Sequence, residues 1–123
     1  MLVKHLPADY NNLAPDGSEI RLLLGVQGGG MAHCTLPAGQ TSVAVTHRTV
    51  EEIWYFLSGR GEVWRKKDDA EQVTEVFAGT CLTIPLGTSF QFRATGEEPL
   101  CFIIATLPPW PGPQEAVVVA GKW

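Results

Sequence analysis

His47 and Glu52, with four residues between them in the chain, are the pair in this sequence best suited to chemistry. Imidazole and carboxylate together suit a divalent metal. Without metal the same pair can move a proton at neutral pH, because an unperturbed histidine titrates near pH ~6.5. Two protein ligands leave most of a coordination sphere to water, whereas a catalytic zinc normally takes three. His33, in "MAHCTL", is the other histidine outside the N-terminal segment and is therefore the candidate third donor. Its neighbour Cys34 must point to the opposite face of a strand, since side chains alternate there. Cys34, Cys81 and Cys101 form no CxxC pair and no even framework, and each sits in an apolar run. They are expected to be three reduced, buried thiols that behave as small hydrophobes.

The elements that would carry these residues are strands. Helical periodicity is almost absent. Short apolar runs recur between Gly and Pro signals: "IRLLLGV", "MAHCTL", "SVAVTH", "EIWYFL", "EVWRK", "QVTEVF", "CLTIP", "SFQFRA", "LCFIIA" and "EAVVVA". Runs at that spacing predict an all-β sandwich or barrel. In "SFQFRA", Phe90, Phe92 and Ala94 share one face and Gln91 and Arg93 the other, which predicts a half-buried strand. "IWYFL" is apolar on both faces and predicts a strand covered on both sides. The tail "LPPWPGPQEAVVVAGKW" is rich in proline, which excludes a central strand there. It reads as an extended arm, residues 107–123, that docks through Trp110, Val117 to Val119 and Trp123.

With 123 residues the chain is read as one domain, 1–123. Net charge is −4 and the nine Lys and Arg are scattered, which argues against a nucleic-acid partner and against a basic membrane-surface helix. No apolar run approaches the ~20 residues of a membrane helix, and the N-terminus does not read as a secretory signal. A cytoplasmic protein is the expectation.

Two stretches carry a family resemblance. Gly39 is followed by five residues, then Val45, Thr46 and His47, then four residues, Glu52, six residues and Gly59. Further on, Gly79 is followed by five residues, Pro85, Leu86 and Gly87, two residues, Phe90, three residues and Ala94. Both stretches resemble the paired motifs of the cupin superfamily, small jelly-roll barrels. The glycine and proline frame is intact, and Val45 and Phe90 stand where that family has its other two metal-binding histidines. The resemblance spans about residues 16–106. It implies an all-β cupin-type jelly-roll β-barrel with an extended C-terminal arm. It also implies that His47 and Glu52 face inward and belong to a metal site missing two ligands.

Three readings of His47 and Glu52 follow: a degenerate site without metal, a weak or rearranged site for zinc, manganese, iron or nickel with His33 as replacement donor, or a metal-free acid–base pair in a ligand pocket. With His47 and Glu52 inward, strand parity puts Val43, Val45, Trp54 and Phe56 inside, and the resemblance adds Phe90 and Phe92. The pocket is then Val45, His47, Glu52, Trp54, Phe56, Phe90 and Phe92, mostly apolar with few polar groups, as small-molecule sites commonly are. The same aromatic residues could equally be core packing. Ile53, Tyr55 and Leu57 fall on the outer face, which predicts a homodimer, as cupins commonly form. The expected function is a small cytoplasmic cupin-fold protein that binds a small organic ligand. The alternatives are a metal-dependent or acid–base isomerase or oxygenase using His47 and Glu52, and a structural or regulatory partner of another protein.

Overall fold

A computed structural model describes all 123 residues. The chain forms eleven strands: β1 (Asn12–Leu13), β2 (Glu19–Val26), β3 (Gly29–Leu36), β4 (Val45–His47), β5 (Glu51–Ser58), β6 (Arg60–Lys67), β7 (Ala70–Phe77), β8 (Cys81–Ile84), β9 (Ser89–Ala94), β10 (Leu100–Leu107) and β11 (Ala116–Val118). They make two sheets, one in the order β1-β2-β3-β10-β5-β8 and the other in the order β11-β4-β9-β6-β7, and every pairing is antiparallel. This is the jelly-roll barrel that the motif frame implied. The one helical turn is a 3-10 turn at Pro113–Glu115. No helix is long and apolar enough to cross a membrane.

Period-two patterning explains the two central strands. On β5, Glu52, Trp54 and Phe56 are buried and alternate with exposed Glu51, Ile53, Tyr55 and Leu57. On β10, Leu100, Phe102, Ile104 and Thr106 are buried in the same alternation. Register then fixes which side chains meet: Phe102 stands opposite both Cys34 and Phe56, Ile104 opposite both Ala32 and Trp54, and Thr106 opposite Glu52. Directly opposed residues of an antiparallel pair share a face, so these rows form the inner wall of the six-stranded sheet. Facing it are Val45, Phe90, Phe92 and Val63 of the other sheet, and the two walls close one core.

Three strand expectations need correction. Val43 is exposed, not inward, while Ala44 and Val45 are both buried, because regular strand structure begins only at Val45. Gln91 is buried although it lies on the outward face of β9. The tail covers it: the Gln91 side-chain amide donates to the carbonyls of Ser42 and Trp123 and accepts from the backbone N–H groups of Lys122 and Trp123. Cys81 is exposed; of the three free cysteines only Cys34 is buried.

The tail is tied down at three further points. β11 pairs with β4, setting Ala116 opposite His47. Glu115, buried just before it, accepts hydrogen bonds from Thr49 Oγ1 at 2.8 Å, from Val50 N at 2.7 Å and from Thr49 N. These donors hold its carboxyl below the usual carboxylate range against the opposing effect of burial. Trp123 lies against Arg93, whose guanidinium carbon is 4.2 Å from the ring centroid.

Candidate functional site

The barrel encloses a cavity of about 110 Å³ at one end. Six of the seven residues read as pocket residues line it: Val45, His47, Glu52, Trp54, Phe90 and Phe92. Phe56 does not. It is fully buried deeper in the core, with its ring centroid 4.7 Å from that of Phe102 and 6.3 Å from that of Trp54. Three strands from two sheets set the polar end. β4 ends on His47, β5 begins near Glu52, and β10 brings Thr106 opposite Glu52.

Glu52 is buried and both its oxygens are occupied. Trp54 Nε1 donates to Oε1 at 3.0 Å and Thr106 Oγ1 donates to Oε2 at 3.0 Å. Burial nevertheless raises its carboxyl from 4.5 to about 7, the two hydrogen bonds opposing and the charges of Asp16 and Glu115 adding to the rise. His47 is pushed the other way, to about 4, by burial, with Glu115 opposing. It is therefore neutral at physiological pH. Its Nδ1 lies 4.0 Å from Glu52 Oε1, too far for a direct hydrogen bond. That nitrogen is buried and has no partner. The ring is held instead by edge contacts with Phe90 and Trp110, each with a centroid separation of 5.1 Å.

His33 does not join this site. It sits opposite Arg21 and Ile103, on the outer face of the six-stranded sheet, while its neighbour Cys34 lines the cavity. The alternation that separates His33 from Cys34 thus also separates it from His47. Burial and the charge of Arg21 lower its pKa.

Among the wall residues that escaped the sequence reading, four carry polar or aromatic groups that matter to the site: Asp16, Cys34, Thr106 and Trp110. Cys34 carried a usable signal, since opposite parity to His33 puts one of the two inside. Trp110 read as an anchor of the tail and is in fact part of the cavity wall beside His47. Asp16 and Thr106 reach the cavity through contacts distant in sequence, and no local pattern marks them. Asp16 accepts hydrogen bonds from the Ser18 backbone and hydroxyl, while burial raises its carboxyl.

With this geometry in place, known proteins place the chain. Residues 32–106 match the family described as the cupin domain, and the chain belongs to that family. It is 30% identical over 118 residues to an uncharacterized protein of Methanocaldococcus jannaschii, an alignment covering 88% of this chain and 90% of that one. Among solved structures it resembles an uncharacterized conserved protein of Klebsiella pneumoniae with a double-stranded β-helix domain, with a TM-score of 0.69, 18% identity and coverage of 91% and 92% of the two chains. It also resembles the capsular polysaccharide assembling protein CapF of Staphylococcus aureus, with a TM-score of 0.70 and 15% identity, covering 88% of this chain but only 33% of that one. Likeness at these identities establishes the fold alone.

Members of this family often bind metals, and the residues here do not fit one. Of the four positions at which the family's motifs carry donors, two hold Val45 and Phe90, both buried and bare of donor atoms. No three His, Cys, Asp or Glu side chains come together anywhere in the chain in a way that could hold an ion. Glu52 already accepts two hydrogen bonds, and Asp16 is bound to Ser18. What remains is an apolar chamber with a neutral imidazole and a carboxyl poised near neutrality.

Proposed function

We propose that this cupin is a binding protein for a small organic molecule held inside the barrel. One observation carries the reading: the cavity walls are mostly apolar, yet they present the buried, unpartnered Nδ1 of His47 within 4.0 Å of Glu52 Oε1. A buried polar atom without a partner is costly, and a bound molecule with one polar end would satisfy it. Three unpaired cysteines, one of them exposed, favour a reducing compartment and hence the cytoplasm.

The test is direct. Native protein, denatured after gentle purification, is expected to release a small organic molecule detectable by mass spectrometry, and elemental analysis of the same sample to find metal far below one ion per chain. Ala32→Phe, which fills the cavity from β3, should leave the fold intact and abolish that release. Stoichiometric metal, or a release unaffected by Ala32→Phe, overturns the reading. The carboxyl near pH 7 beside a neutral imidazole favours a second reading, in which the pair moves a proton on the bound molecule. Deuterium wash-in to the released molecule reports it, and Glu52→Gln should stop the exchange.

The proposal includes a homodimer. Met31, Ile53, Tyr55, Leu57 and Leu107 are each between 41% and 48% exposed on the outer face of the six-stranded sheet. The apolar patch shares its face with Glu51 of β5 and Glu19 and Arg21 of β2, and stable association needs about 800 Å² per partner. Sedimentation velocity is expected to show a dimer at micromolar concentration and a monomer for Tyr55→Lys. A monomeric parent sinks this part of the proposal.

A further inference from the structure

The charge on the cavity wall selects the class of ligand. Two acids, Asp16 and Glu52, line it, and no Lys or Arg does. Glu115 adds to the negative field at Glu52. A carboxylate or phosphate ligand would find no cation to hold it and two carboxyl groups to repel it. A neutral ligand would leave the ionised acids uncompensated in an apolar surround. A cation relieves both problems, and Trp54, Phe90 and Trp110 add the ring surface that cations favour.

On the reading that the barrel holds a small organic molecule, we infer that the molecule is a small aliphatic amine, its ammonium group seated between Glu52 Oε1 and His47 Nδ1. The 4.0 Å separation of those two atoms lets one nitrogen lie about 2.9 Å from each. Glu52 Oε1 accepts from it alongside Trp54 Nε1, within the capacity of a carboxylate oxygen. Neutral His47, protonated at Nε2, accepts a second N–H at the nitrogen that has no protein partner. The carbon chain lies against Val45, Phe92, Phe102 and Ile104. A cavity of about 110 Å³ suits some four to six carbons, since an apolar cavity of ~150 Å³ holds benzene.

Isobutylamine, isobutanol and isobutyrate share a shape and differ in charge, and they separate the possibilities by calorimetry. At pH 8 the amine is expected to bind about tenfold or more tightly than the alcohol, because a charge-assisted bond replaces a neutral one, and isobutyrate not to bind. Glu52→Gln should reduce the amine to the level of the alcohol. Amine binding should also expel the Glu52 proton, so affinity falls toward about tenfold per unit as pH drops below 7. Of the other groups around Glu52, His47 titrates near 4, Cys34 well above the usual thiol range and Glu115 below the usual carboxylate range, while Trp54 and Thr106 are neutral donors. Asp16, which burial raises, is the one other wall acid whose titration adds to the same slope. Alcohol or isobutyrate binding as tightly as amine, or an amine preference that survives Glu52→Gln, overturns the amine assignment and leaves the cavity reading standing. If none of the three binds, and native protein releases no organic molecule, both fall.

Discussion

Glu52→Gln is expected to stabilise the protein at pH 8 by about 3 kcal/mol, read as a rise in Tm of roughly 10 °C. The folded carboxyl titrates near 7 and an unfolded one near 4.5. Between those values the folded chain keeps a proton that the unfolded chain has lost. The stability contributed by this group is therefore fully present below pH ~4.5 and is lost as pH rises through 7. Glutamine mimics the protonated form at every pH. It keeps an acceptor for Trp54 Nε1 and can donate to the Thr106 hydroxyl. The two melting curves should accordingly converge below pH ~4.5, separate progressively between 4.5 and 7, and stay apart by a constant amount above that. Parallel profiles, or a destabilised variant at pH 8, would show that Glu52 is not held as an uncompensated buried acid. A protein that keeps a destabilising carboxyl inside its barrel holds it for a reason outside the fold, which accords with a ligand that neutralises it.

Gly59→Ala is expected to be among the most damaging single changes available, costing about 3 to 5 kcal/mol or preventing soluble expression. Gly59 turns the chain from β5 into β6 at φ +81°. A methyl group there would run into the carbonyl oxygen of Pro99 and lie 2.9 Å from Leu100 Cα, both backbone atoms that cannot step aside. Gly79, the opening glycine of the second motif, provides the control. Its φ is +95°, but nothing lies within 4 Å of a Cβ placed there. Gly79→Ala should therefore cost only about 1 kcal/mol of backbone strain. Urea denaturation of the three proteins measures both. Equal losses for the two substitutions would sink the claim that close approach, rather than φ alone, sets the requirement at Gly59.

Much of the barrel was legible in local pattern. Alternation in "EEIWYFLS" placed Glu52 and Trp54 on one face and Ile53, Tyr55 and Leu57 on the other. Motif spacing brought Val45, His47, Glu52 and Phe90 to a single cavity across two sheets. These features are readable because side-chain alternation and turn glycines act over a few residues. Gln91 defied the same logic: its period-two position is outward, and only the tail folding back makes it buried.

By itself the sequence determined the strand order along the chain, which residues of each central strand share a face and the absence of donors at Val45 and Phe90; which face turns inward was implied by the motif resemblance. Shared faces follow from residue type and from a periodicity of two, which act over a few residues. Tertiary structure alone decided which remote residues complete the site. Thr106 meets Glu52 through the β5–β10 register, Asp16 arrives from the segment before β2, and Trp110 reaches His47 because Glu115 ties the tail to the turn at Thr49 and Val50. It also decided that His33 faces outward and that Phe56 lies below the cavity rather than in its wall. The charge state of Glu52 and His47 belongs to the same class. A pKa is set by burial and by neighbours brought in from many parts of the chain, so the chemistry of this pair exists only in the folded protein.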